Sequence, residues 1–312
     1  MKRRLKCAIA IPARNEADLL PGCLAALATQ TVDPATFAVI VVANNCTDDT
    51  AARASTFAGL PNLLVEERIF APGQANAGAA RGAAMDAAAM LSDIILTTDA
   101  DCVADPDWVE AMLAAFARGV DGVAGAVSGD WEELRHQPKA ALAIGKLEWD
   151  YLSLIAEAEN LFDPKPYDPA PRHAQRCGAN MGITRAMLKA VGGVPPIATG
   201  EDLALFDAVE RAGGKLRHEP TSHVVASARM SGRAAGGMAD ALANRLSDDY
   251  RCGEQFERAD DLVAQWKTQQ RNRDGAGNLA INPVSKRPAT RLTPAQLANE
   301  TVRLRQLMAT RQ

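Results

Sequence analysis

The chain has 312 residues, 47% hydrophobic and 23% charged, with a formal net charge of -4. That length can bury a large core, as one big domain or a domain with an appendage. The acidic balance excludes a general nucleic-acid surface, which neutralises phosphates with a basic one.

Aromatic residues make up only 4%, so the core is expected to rest on small aliphatic side chains. The opening "MKRRLKCAIAIPARNE" begins with basic residues, but its apolar stretch ends at Arg14 and no small-residue cleavage site follows. It is not read as a secretory signal. The longest uncharged runs, such as "LLPGCLAALATQTV", fall short of the roughly 18 apolar residues of a membrane span. The expected location is the cytoplasm, with peripheral membrane contact and a homodimer left open. The six cysteines are scattered without a C-x-x-C pair, so they are expected to be free thiols serving as small apolar residues.

In chain order, "KCAIAIPA" predicts a short buried strand. "RNEAD" is a turn into a helix with Pro21 near its start and Leu20, Cys23, Leu24 and Leu27 on one face. "FAVIVVAN" is a run suited to a strand buried on both faces, and Thr47 is expected to cap the helix after it. "NLLVEER" reads as a third strand, "GQANAGAARGAAMDAAAML" as an alanine-rich helix and "DIILTT" as a fourth strand. Asp105 is expected to cap the helix "PDWVEAMLAAFARG", and "DGVAGAVSG" is a fifth strand. Alternating strands and helices predict a mostly parallel sheet covered on both faces, with ligands at the carboxyl ends of the strands. "PARNE", "NNCTDD" and "TDADC" each follow directly on a strand, so one shared site is expected there.

From Gly129 the pattern changes. "KAALAIGKLEWDYLSLIAEAENLF" carries Ile144, Leu147, Tyr151, Leu154, Ile155, Ala158 and Leu161 on one helical stripe. A proline-rich loop follows, and then "ATGEDLALFDAVERAGGKLRHEP" gives a loop, a helix ended by Gly213 and Gly214, and a strand. Residues from about Met238 read as helical through Trp266, then loose over 271–291. Thr293, Pro294 and Gln296 form a capping box that starts a last helix.

Five stretches, "IAIPARNEADLLPGCLAAL", "VIVVANNCTDDTAA", "GQANAGAARGAAMDAA", "ILTTDADCVADPDWVEAML" and "GEDLALFDAVERAGGKL", resemble in order the motifs of family 2 glycosyltransferases of the GT-A fold, over roughly residues 6 to 235. The resemblance implies an α/β fold, a Rossmann-like and mostly parallel sheet with helices on both faces, plus a helical C-terminal extension. Expected boundaries are 1–237 for the transferase domain, with a nucleotide-sugar half at 1–129 and an acceptor half at 130–237. The extension then covers 238–312. The implied activity is transfer of a sugar from a nucleotide-diphosphate donor to an unidentified acceptor hydroxyl, with inversion and with Mg²⁺ or Mn²⁺.

Physical chemistry supports those roles. A departing diphosphate develops negative charge, and a hard cation held by carboxylates suits phosphate oxygens. Asp101 is the preferred metal ligand, Asp99 is directed to the ribose or a metal-bound water, and Ala100 lies between them. A solvated acidic turn is the bland alternative. Asp202 matches the family's base, with Glu201 binding the acceptor or orienting that base; simple first-turn charges are the alternative. By resemblance, Pro12, Ala13, Arg14 and Glu16 surround the nucleotide. Where the family usually has an aspartate, this chain has Ala43 and then Asn44, whose amide can read a base edge. Arg81 is directed to the nucleotide or to solvent, and His223 is weighed as a third metal ligand against a structural role. Arg229 and Arg233, in a glycine-rich segment, are candidates to clamp the diphosphate. The rivals are a nucleotidyltransferase and a non-catalytic sugar-nucleotide or glycan-binding protein on the same fold. "PARNEADLL" lacks the glycine- and lysine-rich loop that the first of these wants.

Overall fold

The structure is a computed structural model that describes residues 5–229, 238–253, 256–276 and 291–311. The first half runs β1 (Cys7–Ala13), α1 (Leu20–Ala28), β2 (Phe37–Asn44), α2 (Thr50–Ser55), β3 (Leu63–Arg68), α3 (Ala77–Ala89), β4 (Ile94–Thr97), β5 (Cys102–Ala104), α4 (Trp108–Phe116) and β6 (Gly122–Gly129). Then follow α5 (Trp131–Leu134), α6 (Lys139–Phe162), β7 (Met181–Thr184), α7 (Arg185–Ala190), α8 (Glu201–Arg211) and β8 (Leu216–Ala226). The C-terminal part contains α9 (Met238–Asn244), α10 (Ala259–Ala276) and α11 (Pro294–Ala309).

Eight strands form one mixed sheet in the order β3-β2-β1-β4-β7-β6-β8-β5. Four neighbouring pairs are parallel, β1 with β2 and with β4, β2 with β3, and β6 with β8. The pairs involving β7 and β5 are antiparallel. The apolar runs of β1 and β2 are covered on both faces, as continuous hydrophobic strands require. On one face Leu20, Leu24 and Leu27 of α1 pack with Trp108 and Met112 of α4; on the other, Ala84, Met85 and Ala88 of α3 pack near Leu205, Phe206 and Val209 of α8.

A third core joins Tyr151, Leu154 and Phe162 of α6 to Trp266 of α10 and to Leu297 and Leu304 of α11. Phe162 and Trp266 stack with ring centroids 6.4 Å apart. The C-terminal helices therefore share their core with a helix from the middle of the chain, so the packing does not divide at residue 238. The loose stretch expected over 271–291 is helical up to Ala276, where α10 ends, and residues 277–290 lie outside the described residues.

Two expected caps are corrected. α2 begins at Thr50, not after Thr47, because the Asp48 carboxylate accepts from the Thr50 amide at 3.1 Å and from its hydroxyl. α4 is preceded by Asp107, since the Asp105 carboxylate is engaged by His223. The capping box at Thr293 and Gln296 forms as expected.

The segment 163–177 is pinned by buried ion pairs. Glu159 accepts from Lys165 at 2.6 Å and from Arg172 at 2.8 Å. Asp168 accepts from Arg217 at 3.1 Å and pairs with His218 Nδ1 at 2.8 Å. Arg176 makes a bidentate pair with Glu210 at 2.9 and 2.8 Å. Beside it Asn180, fully buried, accepts from Trp108 Nε1 at 2.8 Å and donates to the carbonyls of Ala126 and Ser222. Gly125 leaves the space that Asn180 fills, for a Cβ there would lie 2.2 Å from its Nδ2.

Candidate active site

The chain passes from β1 outward to β2 and β3, then returns to place β4 on the other side of β1. The carboxyl ends of β1 and β4 thus flank a topological switch point, where open α/β sheets bind ligands. The loop after β1 and the loop after β2 are cross-tied there. Glu16 N donates to Thr50 Oγ1 at 2.8 Å, Thr47 N to Asn15 Oδ1 at 2.8 Å, and Ala17 N to Asp48 Oδ2 at 3.2 Å. Asn15 and Asn45 both adopt left-handed backbone conformations, with φ of 54° and 47°, which asparagine tolerates better than other side chains. Pro12 is half-buried, Ala13 buried and Arg14 exposed at this mouth. Asn44 is buried and donates from Nδ2 to the Ala13 carbonyl at 2.9 Å, which ties β2 to β1.

Asp99 and Asp101 follow β4, with the buried Ala100 between them. Their carboxylates and the Cys102 thiol offer ligand atoms that all lie within 4.8 Å of one another. Asp99 Oδ1 accepts from Arg81 Nη2 at 2.9 Å, and Asp101 Oδ2 pairs with Arg229 Nη2 at 3.1 Å. Burial, and next the charge of Asp99, push the Asp101 carboxyl up to about 6, against the pull of Arg229. This donor set fits a hard divalent cation, because two carboxylates converge and each has one oxygen engaged by a guanidinium. Burial holds the Cys102 thiol well above its ordinary range, so at neutral pH it is a soft, protonated neighbour.

Arg229 also grips Glu16, with Nη1 2.8 Å from Oε2 and Nη2 bonded to Oε1. The strand end that carries it is held by Glu133 of the short α5, whose carboxylate accepts from Ser227 Oγ at 2.9 Å and from the Ala228 amide. Arg233 lies outside the described residues.

His223 does not join the aspartates. The antiparallel register pairs Cys102 with Ala226 and Ala104 with Val224, which sets Asp101 opposite Ser227 and Asp105 opposite His223. At about 3.3 Å per residue, His223 is displaced roughly 13 Å along the strand from the level of Asp101. Its ring bridges Asp105 Oδ2 and Ser128 Oγ, each at 2.9 Å. The residue that the chain just beyond β8 delivers beside Asp101 is Arg229.

Glu201 and Asp202 open α8 after Gly200, which takes a left-handed conformation with φ 75°. Asp202 Oδ2 accepts from the Gly178 amide at 2.7 Å. Arg81 reaches across from α3 and is buried. Its Nε donates to Glu201 Oε1 at 3.0 Å, and its Nη1 to Thr97 Oγ1 at 3.2 Å and to the Gly178 carbonyl at 2.9 Å. One guanidinium thus touches a member of each acidic pair, and of the two settings weighed for Arg81, nucleotide or solvent, burial excludes the exposed one. Gly178, Thr97 and Glu133 were not singled out by sequence. The available signal was Arg81 itself, an arginine flanked by small apolar residues in a helix, which needs partners if it is buried.

The model for Glycosyl transferase family 2 matches residues 8–189, more than half of the chain. The chain belongs to this family. As a family 2 glycosyltransferase it also has the expected GT-A architecture. S. aureus TarS 1-349 in complex with UDP-GlcNAc superposes with a TM-score of 0.54 at 14% identity, covering 95% of this chain and 70% of that one. The same fragment in complex with UDP gives 0.52 at 16% identity over 85% and 70% of the two chains. At such identities the likeness establishes the fold alone. No curated protein matches the sequence. Among the described residues no helix of this glycosyltransferase is long and apolar enough to cross a membrane.

Proposed function

We propose that this glycosyltransferase is metal-dependent and inverting, and moves a sugar from a nucleoside-diphosphate donor to an acceptor hydroxyl in one displacement. The observation that carries this reading is that the Arg81 guanidinium joins Asp99, the neighbour of Asp101 in the first acidic pair, to Glu201, which precedes Asp202 in the second, at the switch point. Asp101 and the second oxygen of Asp99 would hold Mg²⁺ or Mn²⁺, which when bound supplies Lewis-acid stabilisation of the leaving diphosphate. Arg229, already facing Glu16 and Asp101, matches phosphate oxygens by its planar fork. Asp202 takes one backbone N–H on each oxygen, from Gly178 and from Leu203, and each oxygen retains a lone pair. It can therefore accept the proton of the acceptor hydroxyl as that oxygen bonds to the anomeric carbon and the bond to the diphosphate oxygen breaks. Attack opposite the leaving group inverts the anomeric centre.

The TarS complexes make UDP sugars the first donors to test. Residues 1–129 would form the donor half and 130–237 would contribute the acceptor side. A cytoplasmic location and action without nucleic acid complete the reading. Calorimetric titration with UDP-GlcNAc, UDP-glucose and GDP-mannose, with and without Mn²⁺, tests it. Asp101→Ala should abolish metal-dependent donor binding, whereas Asp202→Ala should retain binding and lose turnover. A wild-type protein that binds no sugar nucleotide, or equal loss of donor binding in both variants, would refute it.

A further inference from the structure

We infer that Arg81 is a positioning residue that locks the base-bearing end of the site to the donor end through Gly178. The inference rests on the transferase reading above. Only 6% of Arg81 is exposed, and its guanidinium already donates to Asp99, Glu201, Thr97 and Gly178. Of its five N–H groups, few remain for a ligand, and the head is walled in by protein acceptors.

Gly178 is held at both of its polar groups. Its carbonyl accepts from Arg81 Nη1 at 2.9 Å, and its amide donates to Asp202 Oδ2 at 2.7 Å. A Cβ on this residue would sit 2.5 Å from Arg81 Nη2 and 2.6 Å from Cζ, so the guanidinium lies against the backbone only because the residue is glycine. Glu201, buried beside Asp202 at the start of α8, is tied to the same head group. The distance between the donor carboxylates and the base is thereby set by one rigid planar group. Lysine keeps the charge but offers a point donor on a flexible stem and cannot span four acceptors.

Two substitutions approach this link from opposite sides, Arg81→Lys and Gly178→Ala. The readout needs no acceptor: slow hydrolysis of the donor by water, followed as nucleoside diphosphate released from UDP-GlcNAc, UDP-glucose or GDP-mannose with Mn²⁺, beside calorimetric donor affinity. Because a misplacement of about 1 Å can cost on the order of a hundredfold, both variants should lose about that factor in turnover. Donor Kd should stay within about threefold of wild type, the split expected when transition-state alignment and not ground-state binding is lost. Guanidinium ion added to Arg81→Ala should restore part of the turnover, and urea should not. Turnover of Arg81→Lys within about threefold of wild type overturns the inference. A loss of affinity equal to the loss of turnover also does, since it makes Arg81 a donor ligand. If the arginine variants do not fold, Gly178→Ala decides by the same two measurements. A wild type that neither binds nor hydrolyses any of these donors is a different result, and refutes the transferase reading itself.

Discussion

His173 should make the protein lose stability on mild acidification, well above the range where ordinary carboxylates titrate. Its Nδ1 accepts the Gln175 amide at 3.1 Å, and its Nε2 is buried. A second ring proton would have to displace the Gln175 bond. Burial, and then the charge of the neighbouring His218, hold the ring down at about 3. The unfolded ring takes its proton near pH 6.5. Between those values the unfolded state binds the extra proton and the native state does not, so stability falls as pH falls. The slope approaches about 1.4 kcal/mol per pH unit, which integrates to about 2 kcal/mol from pH 7.5 to 5. Partial exposure of the residue trims this to about 1–2 kcal/mol. Asp101 works in the opposite direction: its native carboxyl, at about 6, takes up a proton before the unfolded one does and adds stability as pH falls towards the ordinary aspartate range. The wild-type profile alone therefore does not decide, and the comparison with His173→Gln does. Urea unfolding followed by tryptophan fluorescence at pH 7.5 and 5.0 gives the gap between the two proteins at each pH. That gap should shift by about 1–2 kcal/mol in favour of the variant at pH 5. An unchanged gap refutes the argument.

Asn180→Ala should cost about 3 kcal/mol or more in urea unfolding, because it strands the Trp108 indole N–H and the carbonyls of Ala126 and Ser222 in the core. Glu159→Gln should cost about 3–5 kcal/mol by the same measurement, since it removes the charge facing buried Lys165 and Arg172; an unchanged midpoint would contradict that account. Gly78→Ala places a Cβ 2.2 Å from the Pro195 carbonyl and 2.8 Å from the Ile197 backbone. This pushes on the loop that leads into Glu201 and Asp202. Donor hydrolysis should fall more than donor affinity, and an equal fall in both would show that the loop's contact with α3 does not govern the base.

The parts of this molecule that were legible in sequence are those whose physics is local. β1 and β2 announce themselves because strands buried on both faces are apolar without interruption, and α11 does so because Thr293, Pro294 and Gln296 carry its cap within four residues. The acidic pairs were visible because each follows a strand end or opens a helix. β5 and β7 were not found. They are three and four residues long, and they pair antiparallel with strands distant in sequence, so no local period marks them. His223 shows the same limit within the site. A histidine at a strand end suits a metal, but only the register of β5 against β8 reveals that it faces Asp105. Arg81 was ambiguous for a related reason. One arginine in an alanine-rich helix looks the same in sequence whether it faces water, a nucleotide or four protein acceptors.

Electrostatics explain why these residues belong together. Among the described residues, Glu16, Asp99, Asp101, Glu201 and Asp202 gather at the switch point against two guanidinium groups, Arg81 and Arg229. The surplus is negative, and it surfaces at Asp101, the carboxyl that burial and Asp99 push up to about 6. A diphosphate entering alone would add to that surplus. Under the proposed reading, Asp101 and Asp99 would hold a divalent cation whose positive charge would offset both. Arg81 is buried and held by four protein acceptors, while Arg229, just beyond β8, pairs with Glu16 and Asp101 and is partly exposed. The two arginines thus differ in setting: the buried one binds Asp99 and Glu201 together, while the outer one pairs with Glu16 and Asp101 at a partly exposed edge.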